Sequence, residues 1–228
     1  MIIIDLFSGT EGFSAAFKED EKHDVFTVDN NKKHNADLQK DILDISADEL
    51  PDADVVLASP PCTKFSMASM RWYWDKEDGK YIPTKEDSEK AAEAEKHLKF
   101  VEKTLKLINE INPDFWFMEN PRAMLRKIAK QEFDVEPRGT ITWCQYWTEK
   151  DNKLRGVPVM KPTDLWGEHP DNFEYKSCKN GADCHESAPR GSDKGTQGKE
   201  NSELRGSIPY GLSKSIKNSV EKRKRKCE

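Results

Sequence analysis

The chain has no long apolar run. A helix crossing a bilayer needs about 20 consecutive apolar residues, whereas only 35% of these 228 residues are hydrophobic and as many are charged. The opening MIIIDLF is too short for a secretory signal peptide. Cysteine is scarce: the five residues at 62, 144, 178, 184 and 227 are an odd number with no small disulfide framework around them. A reduced, cytoplasmic chain with no membrane partner is expected. There is no internal repeat. From about residue 150 to 203 no long periodic segment occurs either, and KPTDLWGEHP and SAPRGSDKGTQGKENSELRGSIP read as loops. So long a stretch without regular structure is either functional or disordered.

Charge is unevenly spread. Of 37 Lys+Arg and 42 Asp+Glu, residues 150–228 hold 17 and 12, leaving 20 and 30 to residues 1–149. A basic C-terminal third on an acidic remainder suits a polyanion partner or an ordinary solvated tail.

What is present is an alternation of strand and helix. Ile2-Ile3-Ile4, Val25–Val28, Asp54–Ala58 and Asp114–Met118 are short β-branched or apolar runs of the kind buried in parallel sheets. Thr140–Tyr146 is a further strand candidate. Between them, helices are expected from Ser14, from about Glu86 to Asn112, over Ala123–Gln131, and over Ser207–Lys222 with Pro209 in the first turn. The expected fold is α/β: a doubly wound, Rossmann-like sheet with a loop-rich C-terminal region. Composition divides the chain into a core at 1–149, a substrate-recognition region at 150–206, and a final helix with a basic tail at 207–228. The cluster MRWYWDKEDGKYIP reads as a mobile loop or surface hairpin whose aromatics could stack on bases.

Three features converge on one edge of such a sheet. DLFSGTEGF after the first strand is a glycine-rich turn suited to a polar or anionic cofactor. Asp29, about 20 residues beyond Gly9, stands where these folds hold ribose hydroxyls. SPPCTKFS delivers Cys62 past a buried strand, and ENPR delivers Glu119 past another. A thiol, an acid and a cofactor turn at one crevice describe a reaction centre.

With these motifs in this order, the chain resembles the cytosine-5 DNA methyltransferases, and most of all their short phage and prokaryotic forms. The resemblance implies S-adenosylmethionine as cofactor, held by Phe7, Ser8, Gly9, Thr10, Asp29, Asn30, Asp41 and Ile42, with Pro60 near the methyl donor. It makes Cys62 the nucleophile and Glu119 the acid that contacts the base. The partner it implies is DNA whose target cytosine is flipped out or unpaired. Beyond residue 122 the likeness thins. TWCQYW lacks the arginines of the family's Gln-x-Arg-x-Arg, and Lys217-Asn-Ser-Val220 has Lys where the family has Gly, so no site residue is carried over from it. The short recognition region leaves two other readings open: methylation of another pyrimidine substrate (RNA or a free nucleotide), or a catalytically silent nucleic-acid-binding relative. Cys178, Cys184 and His185 offer three zinc ligands, which His169 or Cys144 could complete. The spacing matches no standard signature, and no metal is assigned.

Overall fold

The computed structural model describes residues 1–67, 69–155, 158–186 and 206–224. Its strands are β1 (Ile2–Leu6), β2 (Asp24–Val28), β3 (Val55–Ala58), β4 (Trp74–Glu77), β5 (Lys80–Pro83), β6 (Phe115–Pro121), β7 (Gly139–Thr142) and β8 (Pro162–Trp166). The helices are α1 (Ala15–Lys18), α2 (Met70–Tyr73), α3 (Ser88–Ile111), α4 (Leu125–Phe133), α5 (Glu149–Arg155) and α6 (Tyr210–Lys224).

Six strands form one sheet in the order β2-β1-β3-β6-β8-β7. The first four are parallel, and β8 runs antiparallel to both of its neighbours. Successive side chains of a strand point to opposite faces, and both faces here are apolar. Ile4, Val56, Ala58 and Met118 pack into the layer that holds α3 and α4. Ile3, Val55, Leu57 and Phe117 pack into the layer that holds Phe17 of α1 and Leu212, Ile216 and Val220 of α6. The sheet is thus covered on both sides, the doubly wound arrangement expected. Chain order reverses between β1 and β3, and such a reversal opens a crevice beyond the carboxyl ends of the strands.

Helix α3 starts where Asp87 accepts hydrogen bonds from the Glu89 and Lys90 amides, and stops where Asn112 turns left-handed at φ 51°. The aromatic cluster forms α2 and then a hairpin, β4–β5, closed by Asp78-Gly79 with φ of 48° and 83°. Two residues of positive φ are what a two-residue hairpin turn requires.

Two elements differ from expectation. Thr140–Tyr146 is strand only as far as Thr142; Trp143–Tyr146 winds into a 3₁₀ turn. KPTDLWGEHP, expected as a loop, contains β8, whose Thr163, Asp164, Leu165 and Trp166 are fully buried. The buried Asp164 is tolerable because Arg126 pairs with it at 2.9 Å and Thr140 donates to it at 2.7 Å. The sheet therefore crosses the compositional boundary at 149/150. Residues 156–157 and 187–205 of the expected recognition region, and residues 225–228 of the basic tail, lie outside the described residues. Among the described residues, no helix is long and apolar enough to cross a membrane.

Candidate active site

The carboxyl end of β1 leads into the glycine-rich turn. Phe7 takes φ +60°, a left-handed conformation that a bulky residue holds only when its surroundings impose it. Its ring sits edge-on against Phe100 of α3, with centroids 6.2 Å apart. Gly12 is the close approach: a β-carbon there would lie 2.9 Å from the Ile208 carbonyl oxygen, so the turn and the segment entering α6 can meet only over a glycine. Asp29, at the end of β2, ties the turn down. Its Oδ2 accepts from the Gly9 amide at 2.9 Å and its Oδ1 from the Asn31 amide at 2.8 Å. Each oxygen retains a further lone pair for a ligand hydroxyl.

Two cavities meet at Phe7. One, of about 210 Å³, is lined by residues including Asp5, Phe7, Ser8, Gly9, Thr10 and Ser59. The other, of about 110 Å³, is lined by residues including Phe7, Asp29, Asn30, Asp41, Ile42 and Pro61. Eight of the expected cofactor residues are therefore gathered on two adjoining walls. Pro60 lines neither; it is buried, and its carbonyl accepts from Asn120 Nδ2 at 2.9 Å. Asp41 also caps a short 3₁₀ turn, accepting from the Leu43 amide at 3.1 Å. Gly206, Ser207 and Ile208 complete the larger cavity, with Ser207 Oγ 3.1 Å from Thr10 Oγ1. Sequence reasoning missed them because it looked for a C-terminal motif ten residues further on.

The larger cavity holds buried polar atoms without partners. Asp5 Oδ1, Ser8 Oγ and Ser59 Oγ are buried in its lining with no hydrogen-bond partner. Burial pushes the Asp5 carboxyl up to about 7, even though Ser14 donates to its Oδ2 at 2.6 Å.

Cys62 stands a short step away. The register Ala58↔Met118 makes Glu119 the first residue of β6 beyond β3, opposite Leu165 of β8. The turn carrying Cys62 is anchored from several sides. The Phe65 amide donates to the Cys62 carbonyl at 3.0 Å, Thr63 Oγ1 meets His97 Nε2 at 3.1 Å, and Trp74 Nε1 donates to the Lys64 carbonyl at 2.8 Å. Trp74 also stacks on Phe65, which ties the β4–β5 hairpin to this turn. Met67 and Trp72, beside it in sequence, remain exposed.

A cation completes the group. Lys161, just before β8, lies 3.9 Å from Glu119 Oε1, and its ammonium rests 3.7 Å from the centroid of the buried Trp143 ring. Burial raises the half-buried Cys62 thiol, Lys161 draws it down, and Glu119 pushes it up. Burial likewise raises Glu119, against Lys161 and a hydrogen bond from Thr163. Lys161 escaped sequence reasoning because it sits in the stretch taken for a loop. TWCQYW supplies the aromatic shelf for a cation rather than the cation itself.

The chain is similar to several known proteins. It is 29% identical over 187 residues to the "Probable DNA (cytosine-5)-methyltransferase" of Frog virus 3 (isolate Goorha), covering 81% of this chain and 78% of that protein. A solved structure provisionally described as a DNA modification methyltransferase encoded within an E. coli prophage aligns at a TM-score of 0.46 and 15% identity over 73% of this chain; the chain spans only 46% of that structure. An antibiotic-related methyltransferase aligns at a TM-score of 0.37 and 10% identity, over 73% of this chain and 86% of that one. Residues 1–136 match the family described as C-5 cytosine-specific DNA methylase, and the chain belongs to that family.

Proposed function

We propose that the chain transfers a methyl group from S-adenosylmethionine to carbon 5 of cytosine in DNA, through a covalent adduct on Cys62. The observation that carries this reading is the convergence of Cys62, Glu119 and Lys161 beside the two-part cavity around Phe7.

The cavity fits the family's cofactor. The orphaned Asp5 Oδ1, Ser8 Oγ and Ser59 Oγ suit the charged amino-acid end, and a buried carboxylate in want of a donor suits an ammonium. The smaller cavity offers Phe7 and Ile42 as apolar walls for an adenine, with Asp41 to accept from its amino group and Asp29 to accept from ribose hydroxyls. When bound, the cofactor supplies an electrophilic methyl group.

The chain's own residues do the rest. Carbon 5 of cytosine is a weak nucleophile while the ring is aromatic. The Cys62 thiolate adds to carbon 6, and the ring electrons move toward carbon 5 and nitrogen 3. Glu119, which burial biases toward its protonated form, donates to nitrogen 3 and accepts from the exocyclic amino group. Lys161 favours the thiolate over the thiol. After methylation, loss of the proton from carbon 5 lets the thiolate leave. A base stacked in a duplex cannot reach Cys62, so the cytosine is extruded or unpaired.

The test uses DNA carrying 5-fluorocytosine, which has no proton to lose at carbon 5. With cofactor, wild-type protein should form a denaturation-resistant complex on a DNA it methylates, and Cys62→Ser should not. A wild-type protein that methylates but never traps, or a Cys62→Ser variant that still traps, overturns the assignment of Cys62.

A further inference from the structure

Cys144, Cys178, Cys184 and His185 come together at the end of β7, where Cys144 lies in the 3₁₀ turn that follows it. One ligand atom from each lies within 4.8 Å of every other. Cys144 Sγ is 3.1 Å from Cys178 Sγ and 3.8 Å from Cys184 Sγ. His185 Nδ1 is 3.7 Å from Cys178 Sγ and 3.5 Å from Cys184 Sγ. All four side chains belong to this chain, and the three cysteines are free thiols.

We infer that these four residues bind one zinc ion as a closed, structural Cys₃His site. Zinc–sulfur bonds of about 2.3 Å and zinc–nitrogen bonds of about 2.0 Å in a tetrahedron place ligand atoms about 3.5–3.8 Å apart. Three of the four spacings above meet that condition. The Cys144–Cys178 pair is closer, yet well beyond the ~2.05 Å of a disulfide. Four protein ligands leave no open position for a substrate, which makes the site structural rather than catalytic.

Two independent observations support a metal. The first is donor chemistry: three thiolates outweigh the charge of one divalent ion, and Gln145 Nε2 donates to Cys184 Sγ at 3.2 Å, where it would offset the excess. The second is the absence of an apolar anchor in the segment that carries three of the ligands. Residues 177–186, SCKNGADCHE, contribute no buried hydrophobic side chain, yet the segment is held against the end of β7. The Cys178 amide donates to Thr142 Oγ1 at 2.9 Å, and the Thr142 amide to the Lys176 carbonyl at 3.0 Å. A short segment that cannot bury apolar surface commonly relies on a metal or cross-link in its place.

The site has a consequence for the reaction centre. Cys144 directly follows Trp143, whose ring carries the Lys161 ammonium. A metal gripping Cys144 would fix the 3₁₀ turn that aims this shelf, and would fix the chain just before residue 187. His169, the other candidate fourth ligand, is elsewhere. Its ring stacks on Phe117 at 4.0 Å, and its Nε2 meets the Trp166 carbonyl at 3.0 Å.

The test is metal content, which needs no methylation. Wild-type protein, expressed with zinc and dialysed against a weak chelator, should retain one zinc per chain by elemental analysis. Cobalt(II) in its place should give the ligand-field bands of a tetrahedral ion and thiolate charge transfer. Cys178→Ser and Cys184→Ser should each lose most of the metal. His185→Cys should keep it, because four thiolates also suit zinc, and Cys62→Ser should keep it because Cys62 lies outside the cluster. Wild-type protein without zinc, an octahedral cobalt spectrum, or full occupancy in Cys178→Ser would each overturn the inference. A mass spectrum showing a native Cys144–Cys178 disulfide would do the same.

Discussion

Lys161 Nζ stands 3.9 Å from Glu119 Oε1, a cation just before β8 and an acid on the antiparallel β6 brought together beside the Cys62 thiol. The ammonium pulls both of its neighbours in the same direction, against their burial. Lys161 favours the charged form of both Cys62 and Glu119, whereas burial favours the neutral form of both. A reaction that needs the thiolate and the protonated acid together therefore depends on how strongly each group feels this ammonium.

Replacing Lys161 with Met should raise the Cys62 thiol further. The pH profile of iodoacetamide alkylation at Cys62 should move to higher pH, with cofactor affinity by calorimetry unchanged. Methyl transfer should fall by about 10²-fold, the scale of losing one charge-stabilising group in an active site. Lys161→Arg should restore most of the alkylation profile. An unchanged profile in Lys161→Met would show that the cation does not reach the thiol.

Trp72 is 52% exposed beside the Cys62 turn, and Arg71 lies 4.6 Å from its ring. Such an aromatic can stack on an unpaired base, worth about 1–3 kcal/mol. Trp72→Ala should weaken binding of DNA with a mismatched or abasic target pair by about 10-fold or more, with cofactor affinity intact. Duplex affinity should also fall steeply with added salt, and deletion of residues 187–205 should flatten that slope, since these residues carry Arg190, Lys194, Lys199 and Arg205. Equal binding and equal slopes across the variants, measured by fluorescence anisotropy, would place the DNA elsewhere.

The parallel strands were legible because Ile3–Ile4, Val55–Ala58 and Phe117–Met118 are buried on both faces, and two-sided burial leaves an unbroken apolar run. Cys62 and Glu119 were legible for the same reason, each following such a run. Strand β8 was hidden. Pro162 at its start, Asp164 within it and Gly167 after it all signal a loop, and only Arg126 and Thr140, distant in sequence, make the buried aspartate acceptable. Lys161 was lost with it. The cysteine cluster was half legible: its local three ligands share one segment, but the fourth comes from the turn after β7, and spacing alone could not choose Cys144 over His169.

Asp5 gives the cavity a pH dependence whose sign is fixed. Its carboxyl rises to about 7 in the folded chain, from an ordinary value of 3.8, because it is fully buried. Between those two pH values the native state holds a proton that the unfolded chain has released, so stability falls as pH rises through the window. Below it the group costs nothing; above about pH 7 the cost is complete, on the order of a few kcal/mol. Asp5→Asn removes the titration while leaving an oxygen to accept from Ser14. The variant should therefore be more stable than wild type at pH 8 and no more stable at pH 4, by chemical denaturation without cofactor. Cofactor should reverse the order. An ammonium at Asp5 Oδ1 favours the carboxylate, so wild type should gain more stability from S-adenosylmethionine at pH 8 than Asp5→Asn does, and should bind it more tightly by calorimetry. If the two proteins gain equally, the amino-acid end of the cofactor does not lie against Asp5.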